Sequence, residues 1–540
     1  MKPSVSVVTL FAASLILTGC TPTVSTGVNP ANAPRTRAET TNYLETSRYA
    51  DVAAFLDALK GRPELTFGSI GKTSEGRDIP YVVASRPRVS TPEEAKRLGR
   101  PVVYVQGNIH AGEVEGKEAL LAVIRDLTSA SRPNVLDSVV LIAVPIYNAD
   151  GNERFASQEQ NRRSQNGPEM VGVRENAQGL DLNRDYIKAE APETRASLAM
   201  FSAWNPDVFV DLHTTNGSYH GYALTYAPPL NNAAPLAVWT RESMMPTLRR
   251  RMQSRHGYPT FDYGDFIDND TLSKGWATFD SRPRFGTNYY GLRGKVAILS
   301  EAYSHDPFER RVKSTYAFVR EILSLTGELA PRMREAVAAG NASREGIPIR
   351  SEMIAAPDSG SVVAEIVERT GDSARTQPGV PRGRRRTGRY VTVKMPVFDR
   401  FRPTLTASRP TRYVLAPSDT QVVRVLRAHG IVVTRTGAAQ PGADVAATGF
   451  VFAIDSVVTS PRPFQGHREV RLTGTWRGET RTVPPGSYVV DVEQPLGILA
   501  AYMLEPQSDD GLVTWNFLDA QLKPGGLYPV FKIGGVPPTP

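Results

Sequence analysis

At 540 residues the chain is too long for one ordinary domain, and two large units are the natural expectation. Its 40% hydrophobic and 22% charged residues are the values of a globular chain, which sets aside the disordered and fibrous classes. The formal net charge of +8 partly reflects one run, Arg382-Gly-Arg-Arg-Arg-Thr-Gly-Arg389. No aromatic platform accompanies that run, so a solvated loop is expected and no nucleic-acid partner.

The amino terminus has the marks of export. After Lys2 comes an apolar segment, Val5 to Leu17, too short to span a bilayer comfortably and ending in small residues. Its last four residues, Leu17-Thr18-Gly19-Cys20, resemble the bacterial lipobox, in which the cysteine is acylated and becomes the mature first residue. Cys20 is the only cysteine, so no internal disulfide is available in an oxidising compartment. The expectation is a signal peptide over 1–20 and a lipid bilayer as partner through acylated Cys20. The location expected is the bacterial cell envelope, exported and lipid-anchored. The Thr-, Pro- and Asn-rich stretch 21–45 reads as a flexible tether.

From residue 46 the pattern is α/β. Tyr49, Val52, Phe55, Leu56 and Leu59 recur at helical spacing behind the capping candidates Thr46 and Ser47. A strand over Tyr81 to Val83 follows the Ser74-Glu-Gly-Arg77 turn. The apolar runs Val102 to Val105, Val139 to Pro145, Val208 to Val210 and Lys295 to Ser300 read as buried strands. Glu118 to Leu127 is plausibly helical, and Tyr147 to Asn152 reads as a turn. The polar stretch from Glu153 to Gln178 lacks periodicity and reads as a long loop, the kind that carries function. Residues 214–274 read as irregular and suit a cleft wall. A closing helix carries Tyr316, Val319 and Leu323 and ends before Gly327. Beyond about residue 340, alternating runs such as Tyr390 to Lys394 and Tyr488 to Val492 suggest a β-rich accessory domain over 345–540. One helical patch, Val422 to Leu426, interrupts it.

The chemistry gathers at strand ends. His110 and Glu113 follow one buried run and His213 ends another, a set able to hold a zinc ion with one position left open for water. His-x-x-Glu alone is a weak pattern, and a strand-end histidine is more often a packed one. Placement of both after buried strands gives the pair its weight, since open α/β sheets put their chemistry there. Glu301 stands at a third strand end, where a carboxylate can take a proton from water and pass it on. Arg162, Arg163 and Arg184 are candidates for an anionic substrate end or a developing oxyanion. Asp181 is placed to orient a ligand imidazole.

Ser74-Glu-Gly-Arg77, Ile109-His-Ala-Gly-Glu113, Asn148-Ala-Asp-Gly151, Asp181-Leu-Asn-Arg184, Asp211-Leu-His213 and Leu299-Ser-Glu301 fall in an order that resembles the zinc metallocarboxypeptidases. The resemblance covers roughly residues 45 to 330 and implies a mixed central sheet flanked by helices, over 46–335. It implies one zinc ion on His110, Glu113 and His213, with Glu301 as general base and acid. It further implies that Asn183 and Arg184 hold the terminal carboxylate of a peptide with a free C-terminus. Arg162 resembles the arginine that polarises the scissile carbonyl, and Asp181 the partner of His110. The family's mobile tyrosine has no counterpart in Phe279 to Arg284; Tyr289 and Tyr290 are the nearest. Two other readings stand beside this one. Aspartoacylase-type N-acyl amino acid deacylases look similar at the same motifs, and a non-catalytic envelope binding protein can retain a peptidase scaffold.

Overall fold

Eight segments line up as one mixed sheet: β1 (Leu65–Lys72), β2 (Asp78–Ala84), β3 (Val102–Gly107), β4 (Val140–Val144), β5 (Val208–Thr214), β6 (Leu224–Ala227), β7 (Thr260–Asp262) and β8 (Val296–Ala302). Their spatial order is β1-β2-β4-β3-β5-β8-β6-β7. The computed structural model describes residues 33–129, 133–231, 234–343, 345–371, 377–437 and 445–535; Cys20 and the signal segment lie outside them. The inner strands β4, β3, β5 and β8 run parallel, and every residue in them is buried. Helices on both faces require such strands to be apolar throughout, which is why they read as unbroken Val and Ile runs. Leu120, Val123 and Ile124 of the helix Glu115–Ser129 pack with Phe318 and Ile322 on one face. On the other, Tyr104, Phe201, Phe209 and Tyr290 form an aromatic layer.

Several segments differ from the sequence expectation, each for a physical reason. Residues 36–45 of the supposed tether are packed: α1 (Arg37–Thr40) is closed by a Thr36–Glu39 capping box, and Ala38 is buried. Glu39 pairs with Arg125 at 2.7 Å, and the Tyr43 ring meets Phe308 edge-on. Asn148 caps a short helix, Ala149–Glu153, where a turn was expected. Residues 214–274 hold strands β6 and β7 and one helical run, Ala234–Trp239 continuing through the π turn Thr240–Met244 into Met245–His256. The closing helix runs from Phe308 to Ala342, straight through Gly327 and Pro331. Gly327 is no cap: a Cβ there would stand 2.9 Å from Ser138 Cβ, so the glycine admits a close crossing.

Two motifs brace the sheet rather than the chemistry. Asp150 is buried and accepts from Thr73 Oγ1 (2.7 Å), the Glu75 N–H (3.0 Å) and Arg77 Nη1 (2.7 Å). The Ser-Glu-Gly-Arg turn and the Asn-Ala-Asp-Gly turn are thus two sides of one buried charge network, of the kind a buried carboxylate requires.

The C-terminal region is β-rich, as expected. Antiparallel pairs Ile347–Ile354 with Arg400–Ala407 and Gly360–Arg369 with Arg384–Met395 precede a six-stranded sheet whose longest members are Val445–Thr459 and Val470–Val483. It is joined to the first half through backbone. Trp276–Ala277 pairs in parallel with Val397–Phe398, and His220 bridges to Ala364. Among the described residues, no helix is long and apolar enough to cross a membrane.

Candidate metal centre and cleft

The carboxyl ends of β3, β5 and β8 meet at one place. After Gly107, Asn108 takes a positive φ of 66° and turns the chain sharply, its amide donating to the Ala111 and Glu113 carbonyls. That turn presents His110 and Glu113 side by side. His213 lies near the end of β5, and in the parallel register its neighbour on β8 is Glu301. Gly112 has no room for a side chain, since a Cβ would meet Arg162 Cγ at 2.7 Å and the Gly172 carbonyl at 2.9 Å. His110, Glu113 and His213 are all buried, and their ligand atoms lie within 4.8 Å of one another.

The donor set fits a cation. His110 Nδ1 is 3.0 Å from Glu113 Oε1, and His213 Nδ1 is 3.0 Å from Glu113 Oε2. On the far side of each ring, His110 Nε2 is 3.1 Å from Asp181 Oδ1 and His213 Nε2 is 3.0 Å from Asp211 Oδ2. Asp181, hydrogen-bonded to His110 Nε2, keeps the proton there and leaves Nδ1 a lone pair, and the Asp211 charge beside His213 Nε2 favours the same tautomer. The two Nδ1 atoms then face each other at 3.2 Å, a repulsive contact unless a cation lies between them. Asp181 is the His110 partner anticipated from its position; Asp211 doing the same for His213 was not anticipated.

The electrostatics follow. Burial opposes ionisation of Glu113, yet the charges of His110 and Arg162 hold its carboxyl well below the usual range. Glu301 goes the other way: burial raises it, the Glu113 charge adds to the rise, and His213 pulls against it. A cation at the ligands favours its ionised form. Glu301 Oε2 is buried with no hydrogen-bond partner among the described residues, an orphan oxygen facing the cleft.

A cleft of roughly 160 Å³ opens beside these groups, lined among others by Arg174, Asn183, Arg184, Asn216, Tyr263 and Glu301. Arg184 is largely buried, and burial, together with Arg174 and Arg284 nearby, lowers its pKa. Its guanidinium rests on the Phe285 ring at 4.1 Å and donates to the Asn183 carbonyl at 2.8 Å, with further donors turned to the cleft. Phe279, Phe285 and Leu299 give the wall an apolar portion.

Two expected placements are corrected. Arg162 does not line the cleft: it lies behind the ligand turn, donating to Glu113 Oε1 at 2.9 Å and to the Thr214 and Thr215 carbonyls. From the same long loop, Arg174 reaches the cleft instead, anchored by Asp181 Oδ2 at 2.9 Å. Arg163 points to solvent beside Glu159. Tyr289 and Tyr290 do not substitute for the missing tyrosine; both are fully buried in the aromatic layer. The cleft tyrosine is Tyr263, just past β7. Its hydroxyl accepts from Asn216 Nδ2 at 3.0 Å, so its own hydrogen is free to donate, and burial with the nearby carboxylates keeps it a neutral phenol. Neither Arg174 nor Tyr263 belongs to a local pattern. Only the paths of the loops bring them in.

Sheet, strand-end ligands and orphan carboxylate define a metallopeptidase class, and residues 52–273 match the family model described as zinc carboxypeptidase. Over that stretch the chain is similar to the zinc carboxypeptidases, a family whose members are zinc-dependent and act on peptides. Glu301 lies beyond the matched stretch, and its place at the site comes from the register of β8. Over 490 residues the chain is 23% identical to carboxypeptidase 2 of Trichophyton rubrum, covering 86% of this chain and 81% of that protein. Over 176 residues it is 32% identical to carboxypeptidase M of Mus musculus, covering 30% of this chain and 35% of that one. A solved metallo-carboxypeptidase from Burkholderia cenocepacia superposes with a TM-score of 0.40 at 18% identity, over 53% of this chain and 70% of that chain.

Proposed function

We propose that the protein removes C-terminal residues from peptides, using one zinc ion on His110, Glu113 and His213. The observation that carries this is the pair of inward-facing Nδ1 atoms, backed by Asp181 and Asp211, beside a buried carboxylate with an unpartnered oxygen. Zinc held there lowers the pKa of a water and polarises a carbonyl. Glu301 takes the proton of the attacking water and delivers it to the departing amine. Arg174, turned into the cleft, donates to the carbonyl oxygen as negative charge builds on it. Arg184 and Asn183 bind the terminal carboxylate, and Tyr263 donates to the same end of the substrate or to the departing amide.

Metal analysis of the protein lacking residues 1–20, paired with a substrate panel, tests the reading. One equivalent of zinc and cleavage confined to peptides with a free carboxylate are expected. Preference for N-acylated amino acids would move the chain to the deacylases; absence of stoichiometric zinc would return it to the binding proteins. We also propose export and anchoring in the bacterial envelope through acylated Cys20. Mass analysis of the amino-terminal peptide from the full chain should find the acyl groups, and Cys20→Ala should release the protein from the membrane fraction.

A further inference from the structure

The wall that carries Asn183 and Arg184 is backed by the C-terminal region, and the contacts are directional. Arg284 is buried. Its backbone N–H donates to Asp510 Oδ2 at 2.6 Å, its Nε to Asp510 Oδ1 at 2.8 Å and its Nη1 to Glu469 Oε1 at 2.8 Å. Its guanidinium also packs on the Trp515 and Phe464 rings, 4.6 and 5.3 Å from their centroids. Trp515 Nε1 donates to Asp510 Oδ1 at 3.0 Å and closes the set. Of the two residues that follow Arg284, Phe285 lines the cleft and carries the Arg184 guanidinium, and the Gly286 N–H donates to Asn183 Oδ1 at 2.8 Å.

A second grip comes from a hairpin tip in the same region. Gln465 and Gly466 sit at φ values of 50° and 81°, and Gln465 Oε1 accepts from the Asp181 N–H at 2.9 Å. Its neighbour His467 holds Glu190, with Nε2 at 3.0 Å from the carboxylate. The segment so gripped is a single short 3-10 turn, Leu182–Arg184, with non-helical angles at Asn183. A turn of that length has little rigidity of its own, and a cation donor held loosely loses much of its binding free energy to ordering.

We infer that the β-rich region is a working part of the peptidase site: through Arg284 and Gln465 it fixes the Asn183–Arg184 turn in the geometry that receives a terminal carboxylate. The inference rests on the role proposed above for Asn183 and Arg184. Arg284, Gln465, Glu469 and Asp510 are positioning residues, since none of them lines the cleft.

Steady-state kinetics on the full chain test it, with Gln465→Asn, Glu469→Gln and Asp510→Asn compared on a peptide free acid and its C-terminal amide. Gln465→Asn keeps a residue tolerant of positive φ while shortening the reach to Asp181. The expected result is KM for the free acid raised by ~5–20-fold with kcat within ~2-fold, and free-acid preference narrowed by the same factor. Folded variants with unchanged KM would overturn the inference while leaving the carboxypeptidase reading intact. A fall in kcat tracking lost stability, without a KM change, would also overturn it, as a merely structural role. Should Asp510→Asn fail to fold, Gln465→Asn decides. A wild-type protein indifferent to the free carboxylate would sink the carboxypeptidase reading, and the inference with it.

Discussion

At the ends of β3, β5 and β8, buried polar atoms are left facing one another or facing nothing. In the β-rich region two sets of buried charges are closed off: Lys532 and Glu505, both buried, form an ion pair at 2.6 Å, and Asp510 is satisfied by Arg284 and Trp515. The strand ends instead hold two imidazole lone pairs 3.2 Å apart and a Glu301 oxygen without a partner. In a closed pair each charge offsets much of the other's desolvation cost, and removing one partner leaves the other buried and unpaired. Open ones persist because something outside the chain completes them. The strand ends therefore offer unmet valences to a ligand, and the second region holds residues that lie next to them.

The sharpest way to break that contrast is Glu301→Gln. An amide keeps the shape and cannot accept the proton, so kcat should fall by ~10²–10⁴-fold while zinc content stays at wild-type level. Undiminished turnover would show that the orphan oxygen has no part in the reaction. Asp211→Asn comes next. The amide no longer fixes the proton on His213 Nε2, and zinc affinity should weaken by ~10–100-fold, read by competition with a chromophoric chelator. An unchanged affinity would mean that the 3.0 Å contact to Asp211 is incidental.

How much of this contrast was legible in the sequence follows from how local each signal is. His110 and Glu113 share one turn, and His213 and Glu301 each end an apolar run, so strand placement alone brought them near one another. Asp181 lay in the same short motif as Asn183 and Arg184. Arg174 is twelve positions from Arg162 in a loop without periodicity, and nothing in that stretch says which arginine turns inward. Tyr263 follows a three-residue strand too short to read. The grip of Gln465 and Asp510 on residues 181 and 284 is a tertiary fact with no local trace. Even the Gly327 stop signal failed, because that glycine lets the helix pass close to Ser138 and Val139 ahead of β4.

Acid should loosen the contact between the two regions. His220, His305 and His429 are buried, and burial, with Arg386 or Arg293 nearby, pushes their pKa values down to about 3, 4 and 3. All three sit where the regions meet: His220 bridges to Ala364, the His305 carbonyl accepts from Arg386, and His429 Nδ1 lies 2.7 Å from the Tyr289 hydroxyl. The folded values lie below the ordinary 6.5, so the unfolded chain binds more protons across that interval. Stability is fully present above about pH 6.5 and declines as pH falls toward 4, by up to ~1.4 kcal/mol per unit for each histidine. Denaturant titrations at pH 7, 6, 5 and 4 read the slope, and His429→Gln should flatten it. A slope that the substitution leaves unchanged would take His429 out of the account.

The smallest effect belongs to the arginine run, which supplies part of the net charge of the sequence. Arg385 and Arg389 both pair with Glu368, at 2.8 and 2.9 Å, on the outer part of the Gly360–Arg369 and Arg384–Met395 hairpin, and both side chains are well exposed. Exposed pairs gain little because water screens them and the side chains lose freedom in making them. Arg386 in the same run is different: its guanidinium reaches inward to Glu365 at 2.7 Å and to the His305 carbonyl. Arg385→Ala and Arg389→Ala should therefore leave the melting temperature within ~1–2 °C of wild type, with kcat/KM unchanged, whereas Arg386→Ala should lower it by several degrees. Equal effects at all three positions would mean that the hairpin is held by net charge rather than by the inward contacts of the half-buried Arg386.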